Sequence, residues 1–324
     1  MAVVAGELLY DVANPLRPRL VCRGTDTRIR LLDGNAIAYT TVVAGKVVIV
    51  RRDLATGTET RVAQLRVSPQ PYYYAAATWT SDGLYEVFST AGATGANGLW
   101  KMQIHLSLNG ADHVLYTIDA GPGGAEGRWA GSSTLEISPD RAYIAVSDAN
   151  FSLFSKSFRI FATSDLRQKY VTATTAFGGT WVASGRFIWA TASGSVMQWT
   201  PAGGATLLRS ERWFGPSTSA GREWLAATLL TDYSKPRVVI AAVGGSRTFV
   251  TGPGSSPGFV TSTVAWYAEE APCPPNDQCG YDPTGPSRTV RALDVTNGSD
   301  QVVVFRAGEE PITNGYNFCC APRI

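Results

Sequence analysis

Histidine is nearly missing from this chain: His105 and His113 are the two among 324 residues. The shortage removes the commonest general base and a leading zinc ligand from most of the sequence, including everything beyond position 113. Charge is sparse too. Asp, Glu, Lys and Arg make up 17% of the chain, against about 25% in ordinary globular proteins. The formal balance is +2 with both signs spread along the sequence, so no stripe of the kind that grips nucleic acid stands out. No run of about 18 apolar residues occurs, which excludes a membrane-spanning helix. Residues 2–6 are small and apolar but lack the basic start and long apolar core of a signal peptide. Met1 then reads as a start codon placed before a mature secreted domain.

What the chain has instead is glycine, 33 residues of it, and a recurring pattern of apolar strands separated by tight turns. Its clearest copy is SPDRAYIAVSD at 138–148, continued by KSFRIFATSDLRQKYV up to Val171. Corresponding turns fall at Asp33, Asp82, Asp140, Ser184, Ala220 and Val264, a period that suits four-stranded antiparallel units with variable loops. One such sheet cannot bury both faces alone and must stack on neighbours around an axis. The expected fold is therefore all-β, a six-bladed β-propeller forming one domain over 1–324, with blades near 20–66, 72–118, 129–173, 177–209, 213–251 and 259–306. The termini, 7–22 and 311–322, are expected to close the ring by strand pairing. Seven blades follow if GELLYDVANPLRPRLVC or PITNGYNFCCAPR adds strands beyond those needed for closure.

These residues resemble the TolB-type, WD40-like propeller repeats, which read as a Ser-Pro-Asp-Gly turn, an Ile-Ala-Phe-like strand and an Asp-x-x-Thr-Gly turn. Ser138, Pro139, Asp140, Ile144, Ala145 and Val146 match the first part. Asp53 to Gly57 and Asp294 to Gly298 match the second. Arg141 stands where the repeat has Gly, and the fourth and fifth copies lack the Pro-Asp pair. The resemblance covers about 27–306 and implies a fold and a habit of binding proteins, peptides or glycans; it implies no activity.

Five cysteines point to an oxidising compartment, secreted or periplasmic. Cys273 and Cys279 flank a polar, Pro-rich loop that a disulfide would staple. Closure of the ring would bring Cys22 near Cys319 or Cys320. The alternative is a vicinal Cys319–Cys320 bridge with Cys22 a buried thiol, and the odd count leaves one thiol unpaired in a monomer.

Motifs that carry chemistry fail on context. GSSPG at 254–258 matches a nucleophile elbow, but Pro257 follows the serine and no helix pattern or histidine comes after it. GPGGAEG at 121–127 lacks the lysine and helix of a phosphate cradle. The doublets Glu269–Glu270 and Glu309–Glu310 point to opposite faces of a strand and make no glycosidase dyad. Aspartates in 148–152 and 297–300 could hold a structural calcium through loop oxygens, but without the 1,3,5 spacing of a dedicated site they read as turn residues. In QIHLSLNGADHVLY a three-residue turn at 109–111 would pair Leu108 with Asp112 and place both histidines on one polar face.

What does concentrate is aromatic and polar side chains in the fourth-to-first and second-to-third strand connections, which share one rim of a propeller: Tyr72, Tyr73, Tyr74, Trp129, Asp148, Phe151, Arg212, Trp213, Phe214 and Tyr233, with Arg128, Phe154, Asp232 and Tyr281 beside them. Flat rings with polar edges suit sugar faces or peptide side chains. The reading is a monomeric binding module for a glycan or an extended protein segment, with no catalytic residue, cofactor, nucleic acid or membrane span. The alternative is a lyase or hydrolase acting on a polysaccharide or small ester through carboxylate, Tyr and Arg side chains in the central channel.

Overall fold

The computed structural model describes residues 2–5, 8–23, 30–32, 36–66, 78–80, 85–94, 99–108, 111–122, 130–150, 155–172, 176–183, 185–231, 236–269 and 289–307. Among them there is no helix, and every regular element is a strand. The chain forms two compact units, one of Met1–Asn35 with Phe177–Ile324 and one of Ala36–Ala176.

The first unit opens with β1 (Ala2–Ala5), β2 (Leu8–Asp11) and β3 (Arg19–Arg23), a three-stranded antiparallel sheet A, followed by β4 (Arg30–Leu32). The second unit holds three antiparallel sheets. Sheet B contains β5 (Ala36–Val43), β6 (Lys46–Asp53) and β7 (Glu59–Gln64). Sheet C contains β8 (Thr78–Trp79), β9 (Tyr85–Thr94), β10 (Leu99–Leu108) and β11 (Ala111–Pro122). Sheet D contains β12 (Ala130–Ile137), β13 (Tyr143–Asn150), β14 (Ser155–Ala162) and β15 (Gln168–Val171).

The first unit resumes with sheet E, made of β16 (Ala176–Trp181), β17 (Phe187–Thr191), β18 (Val196–Thr200) and β19 (Gly204–Arg209). It ends in a seven-stranded run: β20 (Trp213–Thr218), β21 (Trp224–Leu229), β22 (Arg237–Ala242), β23 (Thr248–Phe259), β24 (Val264–Glu269), β25 (Val290–Asp294) and β26 (Asp300–Val302). This run is two sheets sharing one bent strand. The first half of β23 pairs with β22 and its second half, from Gly254, pairs with β24; the register slips at Ser255/Gly258 around Ser256, which has φ 54°. The Gly- and Pro-rich TGPGSSPG is what lets a twelve-residue strand turn out of one sheet, F, and into the next, G.

Burial on both faces explains the composition of the middle strands. In β21 and β22, Ala226, Val238 and Ile240 join the core between sheets F and G, while their neighbours Leu225, Ala227, Val239 and Ala241 join the core between F and E. Successive side chains on a strand alternate faces, so a run such as VVIA is buried throughout only when a sheet lies on each side. The same holds in sheet G, where Ala265, Tyr267 and Leu293 face F. Trp266, Val290 and Ala292 face the N-terminal segment through Tyr10 and Val12. In the second unit Ile104 and Leu106 of sheet C pack on Ile144, Val146 and Phe161 of sheet D.

Two features differ from expectation. β2 and β3 form their own sheet with β1, so the first repeat's strands begin at β4 and not at position 20. The segment 311–322, expected to close the ring by pairing with 7–22, lies outside the described residues. Trp266 Nε1 donates to the Pro15 carbonyl at 3.1 Å and Val304 N–H to the Leu16 carbonyl at 2.9 Å. The histidine hairpin pairs Leu108 with Ala111, one residue tighter than expected, and a bulge at Ile104/His105 restores Ile104 opposite Tyr116 and Met102 opposite Ile118. His113 thus lies opposite Leu106, on the face away from His105, and the histidines make no pair.

The turns repeat in hydrogen-bond detail. Asp53 Oδ1 accepts the N–H groups of Ala55 and Thr56, and Gly57 N–H donates to the Asp53 carbonyl. Asp294, Thr296 and Gly298 repeat this geometry, with Gly57 and Gly298 at φ 73° and 77°, where only glycine is unstrained. At the other kind of turn Ser138 Oγ accepts from Tyr143 N–H and Ser219 Oγ from Trp224 N–H, with Arg141 and Arg222 at φ 58° and 59° in the glycine position. Thr163, Val243 and Val295 each donate an N–H to the neighbouring turn, at Ala142, Glu223 and Thr263.

Candidate functional site

The end of the first unit where second-to-third turns and sheet-to-sheet connections meet is a backbone platform. Trp213 N–H donates to the Gly194 carbonyl at 2.9 Å, Leu230 N–H to the Arg212 carbonyl at 2.8 Å and Gly254 N–H to the Pro236 carbonyl at 2.8 Å. The first two bonds tie the β17–β18 turn, the β19–β20 link and the end of β21 together, and the third ties the bend of β23 to the start of β22. Gly194, at φ 91°, lies so close to Arg212 that a Cβ there would fall 2.6 Å from Arg212 Cγ. The turn therefore seats directly on the link, and only glycine fits.

On this platform the sequence-derived candidates separate. Phe214 is 43% exposed, and Arg212 is exposed beside it. Trp213 is 2% exposed; its indole belongs to the core between E and F, with the Arg209 guanidinium 5.3 Å from the ring centroid. Alternation along β20 is the reason, since Trp213 and Phe214 must point to opposite sides. Trp213 is thus a packing residue of the core and not part of an exposed rim, contrary to the expectation. Arg209 also lies 3.9 Å from the Glu211 carboxylate. Asp148 lies in β13, opposite Ser132 and Ser157. Tyr72, Tyr73, Tyr74, Trp129, Phe151 and Tyr233 lie outside the described residues, as do Arg128, Phe154, Asp232, Tyr281 and the pair Cys273 and Cys279.

The sequence reading overlooked a buried polar face on sheet C. Glu86 is 2% exposed and accepts the Arg66 N–H through Oε2 at 2.8 Å. Ser107 lies opposite both Glu86 and Asp112, and the buried His105 ring holds Nδ1 3.0 and 3.2 Å from the two Asp112 carboxylate oxygens. In YEVFS a charge between apolar residues reads as a solvent-facing position; only the crossover backbone at Arg66 makes it a buried anchor. Among the described residues no three His, Cys, Asp or Glu side chains gather to hold a metal. In the 294–299 turn, Asn297 Oδ1 accepts the Ser299 N–H, and the Asp300 carboxylate accepts from Tyr267 Oη at 2.6 Å and Arg291 Nε at 3.0 Å. Burial and this carboxylate push the Tyr267 phenol up to about 12.

No known family profile and no curated protein matches the chain. Its fold is similar to that of solved propeller structures. An oligogalacturonate lyase in complex with manganese is 9% identical with a TM-score of 0.54, over 95% of this chain and 87% of the lyase. A prolyl endopeptidase is 15% identical with a TM-score of 0.52 over 91% of this chain, which spans 46% of the peptidase's length. TolB from Acinetobacter baumannii is 14% identical with a TM-score of 0.46, over 91% of this chain and 75% of TolB. At such identities the likeness to the lyase and the peptidase establishes the β-propeller fold and no activity.

Proposed function

We propose that this chain is a binding module built on a β-propeller. It recognises a glycan or an extended protein segment on the rim that carries Arg212 and Phe214. The observation that carries this reading is the exposed Phe214 ring and the exposed Arg212, two residues apart on a chain segment fixed by backbone hydrogen bonds. The proposal includes one domain over 1–324 whose blades number six, or seven with sheet A counted, closed by pairing of the terminal segments 7–22 and 311–322. It also includes a secreted or periplasmic monomer stapled at Cys273–Cys279, acting without a cofactor. The test is a glycan and peptide binding screen on the oxidised protein. Phe214→Ala and Arg212→Ala should each weaken the selected ligand about tenfold, as expected for an anchor residue, while Leu207→Ala, on an outer strand, should not. Absence of any ligand, or undiminished binding by both variants, removes the rim as the site.

A second reading, a lyase or hydrolase, draws on the fold shared with the oligogalacturonate lyase. Release of unsaturated product from oligogalacturonate with manganese present would establish it in place of a pure binder.

A further inference from the structure

Asn-Gly pairs cyclise more readily than other Asn pairs, because glycine has no side chain to hinder attack through its own nitrogen. They occur at 97–98, 109–110, 297–298 and 314–315. At 297–298 both residues lie among those described, in the β25–β26 turn, with Asn297 exposed and Gly298 at φ 77°. The matching turn at 53–58 has Thr56 before its glycine and lacks this chemistry. In the closed turn every group that would react is engaged. Gly298 N–H donates to the Asp294 carbonyl at 2.8 Å. On the Asn297 carboxamide, Oδ1 accepts the Ser299 N–H at 2.8 Å and Nδ2 lies 3.5 Å from Asp294 Oδ2. Asp294 Oδ1 also accepts the Thr296 N–H and hydroxyl, at 2.8 and 2.7 Å, so one carboxylate organises the turn. Sheet F holds it from outside. Arg247, its guanidinium carbon 5.0 Å from the Phe249 ring centroid, donates to the Thr296 carbonyl at 2.9 Å. The same ring backs the turn so closely that a Cβ on Gly298 would meet Phe249 Cε1 at 3.1 Å.

We infer that Asn297 is a site of spontaneous deamidation, held back by the closed turn and released when the contact of that turn with sheet F opens. The Gly298 nitrogen attacks Asn297 Cγ and gives its proton to solvent. Nδ2 takes up a proton from water and leaves as ammonia, and a cyclic succinimide joins the two residues. Water opens the ring at either carbonyl to give aspartate or isoaspartate, so water is the only co-reactant. While Gly298 N–H stays bonded to the Asp294 carbonyl, its nitrogen keeps its proton and its direction, and the ring cannot close. The step runs one way. Isoaspartate inserts a methylene into the main chain, which breaks the spacing that brings Gly298 N–H to Asp294. Either product also sets a second carboxylate beside Asp294 where an amide stood, and like charges repel. A converted turn therefore cannot rebuild its seat against Arg247 and Phe249.

The test is a time course of the full chain at mildly alkaline pH, folded and in guanidinium chloride, with the peptide that holds Asn297 followed by mass spectrometry and isoaspartate counted separately. In the folded chain Asn297 should convert at least about tenfold more slowly than in denaturant, since reaction waits on local opening. Asp294→Ala unties the turn itself and should raise the folded rate about tenfold. Arg247→Ala leaves the bonds within the turn in place, removes its link to sheet F and should raise the rate about threefold. Circular dichroism under the same conditions establishes that the variants are folded, and if Asp294→Ala is not, Arg247→Ala decides. After conversion, amide exchange at Asp294, whose N–H donates to the Ser299 carbonyl across the turn, should quicken in the chain that carries isoaspartate. Equal rates in the folded and unfolded chain, a folded rate unmoved by Arg247→Ala, or unchanged exchange at Asp294 after conversion would overturn the inference.

Discussion

Asp140 shows how much a single side chain does in these repeats. Its Oδ1 accepts the Ser138 hydroxyl at 2.6 Å and the Ala142 N–H at 3.0 Å, and these two bonds hold its carboxyl below the ordinary value of 3.8. Backbone N–H donors lower Asp53 and Asp165 in the same way. Each is a depressed acid, so its contribution to stability is present above the unfolded-state pKa and is lost as pH falls through the lower folded value. Stability should therefore decline below about pH 4. In Asp140→Asn the thermal midpoint should depend less steeply on pH in that window, as followed by circular dichroism. An unchanged slope would mean that the turn carboxylates are not held as described. The Ser138 and Asp140 pattern was legible in the sequence because its bonds are local. Trp213 was not, because which side of β20 faces a neighbouring sheet is a long-range matter.

Among the elements, the edge strands of neighbouring sheets come closest through glycine. A Cβ on Gly178 of β16 would lie 2.9 Å from the Gly215 Cα of β20, and Gly178 has φ 75°. Nearby, the Thr180 and Thr218 hydroxyls are 3.1 Å apart across the same strands. Gly45 at the β5–β6 turn has a similar φ of 72° but open space around it. The two positions separate backbone strain from crowding: Gly45→Ala should cost about 1 kcal/mol, and Gly178→Ala about 2–4 kcal/mol once the clash is added. Urea unfolding of the two variants checks this, and equal losses would place the whole cost in the dihedral. Glycine abundance was plain in the sequence, and its use at tight turns such as 57 and 298 followed from spacing. The close approach at 178 did not, since it depends on a strand 37 residues away.

For the molecule as a whole, stability comes from sheets covering one another's faces in chain order: E, F, G and A in the first unit, C and D in the second. Sheet A depends on one contact above others. Trp266 is fully buried, meets Tyr10 edge-on at 6.2 Å and donates its indole N–H to Pro15. Trp266→Ala should lower stability by about 3–5 kcal/mol, and amide exchange at Tyr10 and Val12 should quicken. Loss of stability with unchanged exchange there would show that sheet A stands independently of sheet G.

The sequence by itself determined the strand-and-turn grammar: where chains reverse, which turns need an αL residue, and that the sheets must stack. Those outcomes rest on period-two alternation and on hydrogen bonds within a few residues, both written locally. Only the tertiary structure decided that sheet A stands apart from the first repeat, that β23 serves two sheets, that Trp213 is core while Phe214 faces solvent, and that Glu86 is an anchor. Each of these depends on which surfaces meet after stacking, and a face becomes interior or exterior only when its neighbour is in place.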